Sequence, residues 1–341
     1  MSEQGNRPSS RILWLDLLKI IGIVLVVVGH FLPFCGLKKF IYSFHVPLFF
    51  VLSGFLAENR HAGVRRVRIG RLLMPYMIWS ALSIVLASFV GADRVDLVND
   101  MLPLNGFSCW NQPMWFLLVL FLVTVVTPSF HGVDFTGKAM RLRWAVGQFL
   151  PLTIYALVVG LLLLLGFGGK HHAVLAWRQV AWGCFFYMAG MLAARFDVIE
   201  WLSRRPGIFW TAFGLGVIAA FGNKQVSIYM GRVGRPPLFL ISSLALTFSL
   251  MSIGRCYVRF LCPTWLSLLG RWTVFILATH YFALLPFREF VGGRSQVTWQ
   301  NGLCASLALV VIYWILCGGF ELLYNKLIVK IAAMNGGKAE R

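Results

Sequence analysis

Three ionisable residues fall on one face of an apolar run near the N-terminus. They are Asp16, Lys19 and His30, within RILWLDLLKIIGIVLVVVGH from Arg11 to His30. Eleven residues separate Lys19 from His30, close to three helical turns, so both lie on one side about 16 Å apart along the axis. Asp16 falls within about 40° of His30 at about 100° per residue. From Ile20 to Leu37 there is no formal charge, long enough to cross a bilayer as a helix. Charged groups at the centre of such a helix cost roughly 2.5–3.5 kcal/mol each, so they normally face protein or water and act there. An acid, a cation and a titratable imidazole on one face can move protons. The plainer alternative is that Asp16 and Lys19 mark the membrane surface and His30 hydrogen-bonds a neighbouring helix.

Other polar residues sit in apolar surroundings. His280 lies fifteen residues into a later apolar run, at a depth comparable with His30. It reads as a second acid–base group, an acceptor contact or a structural hydrogen-bonder. Arg68 and Arg71 are three apart and share a helical face. A pair of guanidinium forks suits phosphate or pyrophosphate, with lipid head groups or ordinary charge asymmetry as the alternatives. Arg271 reads as an addition to such a site or as a snorkelling side chain. His45, near an interface, is expected to face solvent. Trp110 and Trp115 are expected to anchor an interface, with sugar stacking as the alternative. Ser53-Gly54 is expected to be a helix-packing notch. The seven cysteines form no CxxC pair and no cluster with His at metal-ligand spacing, so no metal site is expected. Cys35 and Cys109 would lie on the same side of the membrane, where a disulfide is conceivable.

The scaffold that must hold these residues is legible from composition. Of 341 residues, 59% are hydrophobic and 13% charged, about half the charge of a soluble domain. The expectation is an all-α polytopic membrane protein. Ten apolar runs can be marked, at 12–32, 40–57, 72–91, 114–130, 145–167, 173–194, 207–222, 236–254, 266–287 and 300–325. About ten transmembrane helices put both termini on one side. The excess of 31 Lys and Arg over 12 Asp and Glu fits topology better than nucleic acid. With the termini in the cytoplasm, the cytoplasmic segments hold about twice as many Lys and Arg as the outer loops. The outer cations are then Lys38, Lys39, Arg94, Lys170, Lys224, Arg232, Arg235, Arg288 and Arg294. Residues 1–11 form a cytoplasmic segment, 12–328 the membrane domain and 329–341 a cytoplasmic tail. The first run carries ionisable groups and reads as a retained helix, not a signal peptide.

Three stretches together resemble the acyltransferase-3 family of integral membrane acyltransferases. They are Lys19…His30, FHVPLFFVLSG from Phe44 to Gly54, and Arg68-Ile-Gly-Arg71. Weaker echoes are PMWFLLVLF at Pro113–Phe121 and LGRWTVFILATH at Leu269–His280. The family often has Arg where this chain has Lys19; the Lys form is similar to its sugar O-acetylase branch. The resemblance implies transfer of an acyl group, most often acetyl, from cytoplasmic acyl-CoA to a hydroxyl of a carbohydrate or glycolipid acceptor in a surface glycan or its precursor. It implies a location in the cytoplasmic membrane. In such a transfer His30 would be the general base that takes the hydroxyl proton. Arg68, Arg71 and Lys19 would receive the donor phosphates. Asp16 would hold Lys19 or orient a donor group.

Two other classes compete. Intramembrane Asp, Lys and His also build proton relays, so a transporter or exporter of a glycan or lipid-linked intermediate is the alternative. No halved pattern of interrupted helices supports it. A non-catalytic scaffold would leave the polar face of the first helix unexplained.

Overall fold

The computed structural model describes residues 13–58, 64–89, 111–127, 177–261 and 267–336. Its helices are α1 (Leu13–Phe31), α2 (Gly36–Tyr42), α3 (His45–Glu58), α4 (Val64–Phe89), α5 (Trp115–Val126), α6 (Trp177–Arg195), α7 (Val198–Ser203), α8 (Pro206–Gly222), α9 (Pro236–Leu261), α10 (Ser267–Arg271), α11 (Thr273–Phe290) and α12 (Trp299–Gly336). Two short 3-10 turns join them, and the only strand pairing among the described residues is an isolated bridge between Ser227 and Arg232. An all-helical bundle is what lipid demands, because a helix satisfies its own backbone polar groups.

Four described segments are long and apolar enough to cross a membrane: Leu13–Phe31, Gly36–Glu58, Pro236–Val258 and Trp299–Leu327. Shorter apolar helices cover Leu72–Leu86, Gln112–Val126 and Pro206–Gly222. The expected run at 145–167 lies outside the described residues. The expected run at 266–287 is two helices, α10 and α11, meeting at Trp272.

The first helix is central. It packs against α2, α3, α9, α10, α11 and α12, and its Leu15, Leu18, Ile23 and Val27 are almost wholly buried. A helix that is apolar nearly all round belongs inside a bundle. By contrast α12 exposes Leu307, Val311, Ile315, Leu322 and Leu323, an apolar surface suited to lipid. Gly302 of α12 lies against the Phe31 carbonyl at the end of α1. Gly270 lies against Asp16 near its start, and Arg271 next to it pairs with Glu321 of α12. The start of α1 and the later part of α12 therefore lie at one end of the bundle. At that same end Arg195 pairs with Glu58 at 3.5 Å. Glu200 of α7 accepts from Arg204 at 2.7 Å and pairs with Arg255 of α9. That hydrogen bond, and then the Arg255 charge, hold the Glu200 carboxyl below the usual carboxylate range.

Ser53-Gly54 is a packing notch, as expected. A Cβ on Gly54 would overlap the Tyr187 carbonyl of α6, and one on Gly190 of α6 would overlap the Val51 carbonyl. Two glycines thus let α3 and α6 touch backbone to backbone, the use of small residues in membrane helices.

The break between α2 and α3 has a local cause. Pro47 has no N–H, so the Ser43 carbonyl loses its helical partner four residues on. Ser43 is buried, and a buried orphan carbonyl is costly. The Ser243 hydroxyl of α9 donates to it at 2.7 Å. The kink carries Tyr42 and His45 to the wall of one internal cavity.

Candidate functional site

A cavity of about 770 Å³ runs beside α1. Lys19 lines it toward one end and His30 deeper in, with the axial spacing of about 16 Å set by the helix. Apolar walls come from Ile23, Val26, Phe49, Leu120 and Leu277. Ionisable and aromatic groups gather around His30. The rings of His30 and His280 are 5.1 Å apart, and Tyr42 and Tyr281 each lie 6.4 Å from the His30 ring.

His280 is fully buried and does not line the cavity. Its Nδ1 is 2.9 Å from the Ile276 carbonyl. A carbonyl only accepts, so Nδ1 carries the proton and neutral His280 keeps a lone pair on Nε2. That Nε2 is buried without a hydrogen-bond partner. His280 thus backs His30 from behind the cavity wall, with acceptor capacity to spare.

His45 corrects the expectation of a solvent-facing side chain. It is buried and lines the cavity. Its ring is 4.8 Å from Tyr42, and its Nδ1 donates to the Ile41 carbonyl at 2.9 Å. The kink before Pro47 creates this position, so the signal was present in the sequence as Pro two residues after His. Trp115 is a second correction. It is buried in the cavity wall, where an exposed anchoring side chain was expected, and packs on Tyr229 at 6.1 Å. Trp110 and Cys109 lie outside the described residues, and Cys35 carries a free thiol.

Asp16 pairs with Lys19, Oδ1 to Nζ 3.1 Å. Asp16 is buried behind the wall, whereas Lys19 reaches the cavity. The pair orients Lys19 and leaves Asp16 three turns or more from His30. Arg68 and Arg71 belong to α4, but their side chains lie outside the described residues. Leu72, next to Arg71, lines the cavity. Arg271 is committed to Glu321 and does not line it. Among the described residues no group of His, Cys, Asp and Glu could hold a metal ion.

Known proteins decide the family. The sequence profile of the acyltransferase-3 family, an acyltransferase domain, matches residues 12–318. The chain belongs to that family of acyltransferases. Two relatives are nodulation proteins NolL. The one from Sinorhizobium fredii is 32% identical over 146 residues, 36% of this chain and 38% of the relative. The one from Mesorhizobium japonicum is 30% identical over 177 residues, 45% and 48% of the two chains. The chain spans less than half the length of these relatives. No solved structure matches. Membership of the acyltransferase-3 family makes the cavity beside α1 the place to look for acyl transfer, since α1, α3 and α4 carry the motifs by which the chain resembles it.

Proposed function

We propose that the protein moves an acetyl group from acetyl-CoA to a hydroxyl of a sugar in a surface glycan or its precursor. The observation that carries this reading is that Lys19 and His30 line a single cavity, at opposite ends of a span an extended donor arm could bridge. The donor enters at the Lys19 end. Lys19 and the Arg68–Arg71 pair of α4 bind its phosphates, and Asp16 holds Lys19. The acyl-bearing arm lies along the apolar wall and brings the thioester to His30.

The sugar hydroxyl attacks the thioester carbonyl carbon while His30 takes its proton. A C–O bond forms, the C–S bond breaks, and His30 returns the proton to the departing thiolate sulfur. The products are an acetyl ester and coenzyme A, with no net change in protons. His280 is a positioning residue in this reading. Its Nε2 lone pair can accept from a protonated His30 and so stabilise the charge that develops there.

The donor is made in the cytoplasm, so the Lys19 end faces the cytoplasm in this reading. That places the starts of α1 and the later part of α12 inside, in the cytoplasmic membrane. Reporter fusions at Lys170 and Lys330 are expected to give opposite sidedness; the same compartment for both overturns this topology. The activity itself is tested with the purified full chain and acetyl-CoA. Acetyl-CoA is expected to bind, and to release coenzyme A when a saccharide acceptor is added. A chain that binds no acetyl-CoA overturns the donor assignment.

A further inference from the structure

The end of the cavity away from Lys19 is lined by five cations: Lys38, Lys224, Arg232, Arg288 and Arg294. Among the described residues no Asp or Glu lines the cavity. The ion pairs among the described residues involve Asp16, Glu58, Glu200 and Glu321, and none of them reaches these cations. Lys38, Arg288 and Arg294 are close enough to repel one another. Among the described residues these cations face one another with no carboxylate between them, and positive charge gathered in a cavity is costly unless an anion comes to it.

The roof over this end is a built element. Asn223 Oδ1 accepts from the backbone N–H of Lys224 and of Arg235, each at 2.7 Å, and its Nδ2 donates to the Val233 carbonyl at 3.0 Å. Ser227 and Arg232 exchange two backbone hydrogen bonds of 2.7 and 2.9 Å. Gln179 of α6 donates to the Tyr229 carbonyl at 2.8 Å. Gly231 and Gly234 turn the chain at φ of 65° and 69°, conformations that favour glycine. This fold holds Lys224 and Arg232 over the cavity, while Lys39 is spent outside it on the Phe221 carbonyl at 2.7 Å.

The cations stand close to the reacting group. Arg288 hydrogen-bonds Tyr281, whose ring is 6.4 Å from His30. Lys38 lies 5.4 Å from the Tyr42 ring, which is also 6.4 Å from His30. The phosphates of coenzyme A are an arm's length from its thioester, so a donor with its thioester at His30 cannot place them here. An anion on the acceptor can lie here, a sugar's width from the attacked hydroxyl.

We propose that this mouth binds a phosphate or pyrophosphate carried by the acceptor, next to the sugar that is acylated. The inference rests on the acyl-transfer reading for the word acceptor, but the anion site can be tested without it. Arg288 and Arg294 hold the phosphate oxygens by bidentate hydrogen bonds, and Lys224 and Arg232 close over it from the roof. A phosphate on a lipid carrier and one on a soluble saccharide share this chemistry.

The test uses calorimetry on the purified full chain with inorganic pyrophosphate, polyprenyl pyrophosphate, glucose 1-phosphate and coenzyme A. With coenzyme A saturating the donor site, pyrophosphate is expected to bind, more weakly as salt rises. In the Arg288→Gln, Arg294→Gln double variant its affinity is expected to fall about tenfold or more, with coenzyme A affinity unchanged, which also shows that the variant is folded. Arg288→Lys is expected to fall part-way, keeping charge without the fork. Tighter binding of polyprenyl pyrophosphate assigns the phosphate to a lipid carrier; tighter binding of glucose 1-phosphate assigns it to a soluble saccharide. Undiminished pyrophosphate binding by the double variant, with the donor site filled by coenzyme A, overturns the proposal. So does a loss of coenzyme A binding in its place, which would make this mouth the donor site. If wild-type chain binds pyrophosphate but no coenzyme A, the donor reading fails and the anion site stands.

Discussion

The His30 and His280 rings lie 5.1 Å apart where α1 meets α11, one on the cavity wall and the other buried behind it. In the proposed reaction the pairing gives the two histidines different work. His30 can meet a substrate; His280, tied by Nδ1 to the Ile276 carbonyl, can only act through His30.

His30→Gln keeps a hydrogen-bonding side chain but cannot exchange a proton near neutral pH. Turnover is expected to fall by about 10²–10⁴, with acetyl-CoA affinity retained. Near-normal turnover in this variant would make His30 a structural contact, and steady-state kinetics beside calorimetry decides the matter.

For His280 two variants separate the two ring nitrogens. Gln can place an oxygen near the position of Nε2, whereas Asn reaches only the level of Nδ1. His280→Gln is expected to retain more turnover than His280→Asn, and both are expected to displace the pH profile of kcat. A structural role alone would lower the amount of folded protein and leave the profile where it was.

Asp16→Asn removes the negative charge that holds Lys19 at 3.1 Å and leaves only a neutral amide oxygen to accept from it. The expected result is a higher KM for acetyl-CoA with kcat little altered, because the reacting end is three turns away. Equal loss of kcat and kcat/KM would instead place Asp16 in the transition state.

Trp115, in the cavity wall beside Tyr229, offers an aromatic face for a sugar ring. Trp115→Phe is expected to keep most acceptor affinity and Trp115→Ala to lose it, with donor binding held in both. Parallel titrations of donor and acceptor distinguish this from general damage to the wall.

Gly54→Ala forces a methyl group into the Tyr187 carbonyl. Overpacking of this kind costs about 1–3 kcal/mol, and the backbone contact puts this position at the upper end. Thermal unfolding of the purified chain in detergent is expected to drop accordingly, whereas Ala at Gly214, with open space around it, is expected to have a far smaller effect.

Much of this site follows from spacing along the chain. A regular helix fixes Lys19 and His30 on one face about 16 Å apart whatever surrounds them, and the apolar runs make a helical bundle unavoidable in lipid. The glycine beside Ser53 announces a close crossing without naming its partner. Which polar groups meet is a matter of tertiary packing. His30 and His280 are 250 positions apart in the sequence, and only the parallel packing of α1 and α11 brings their rings together. His45 reads as a surface residue until the Pro47 break turns it inward. Lys38, Lys224, Arg232, Arg288 and Arg294 look alike in the sequence, all cations of loops and helix ends, because charge asymmetry places them without regard to what they face. The fold of 223–235 over the cavity makes them one site, since a cation's chemistry depends on its neighbours and those neighbours come from three separate parts of the chain.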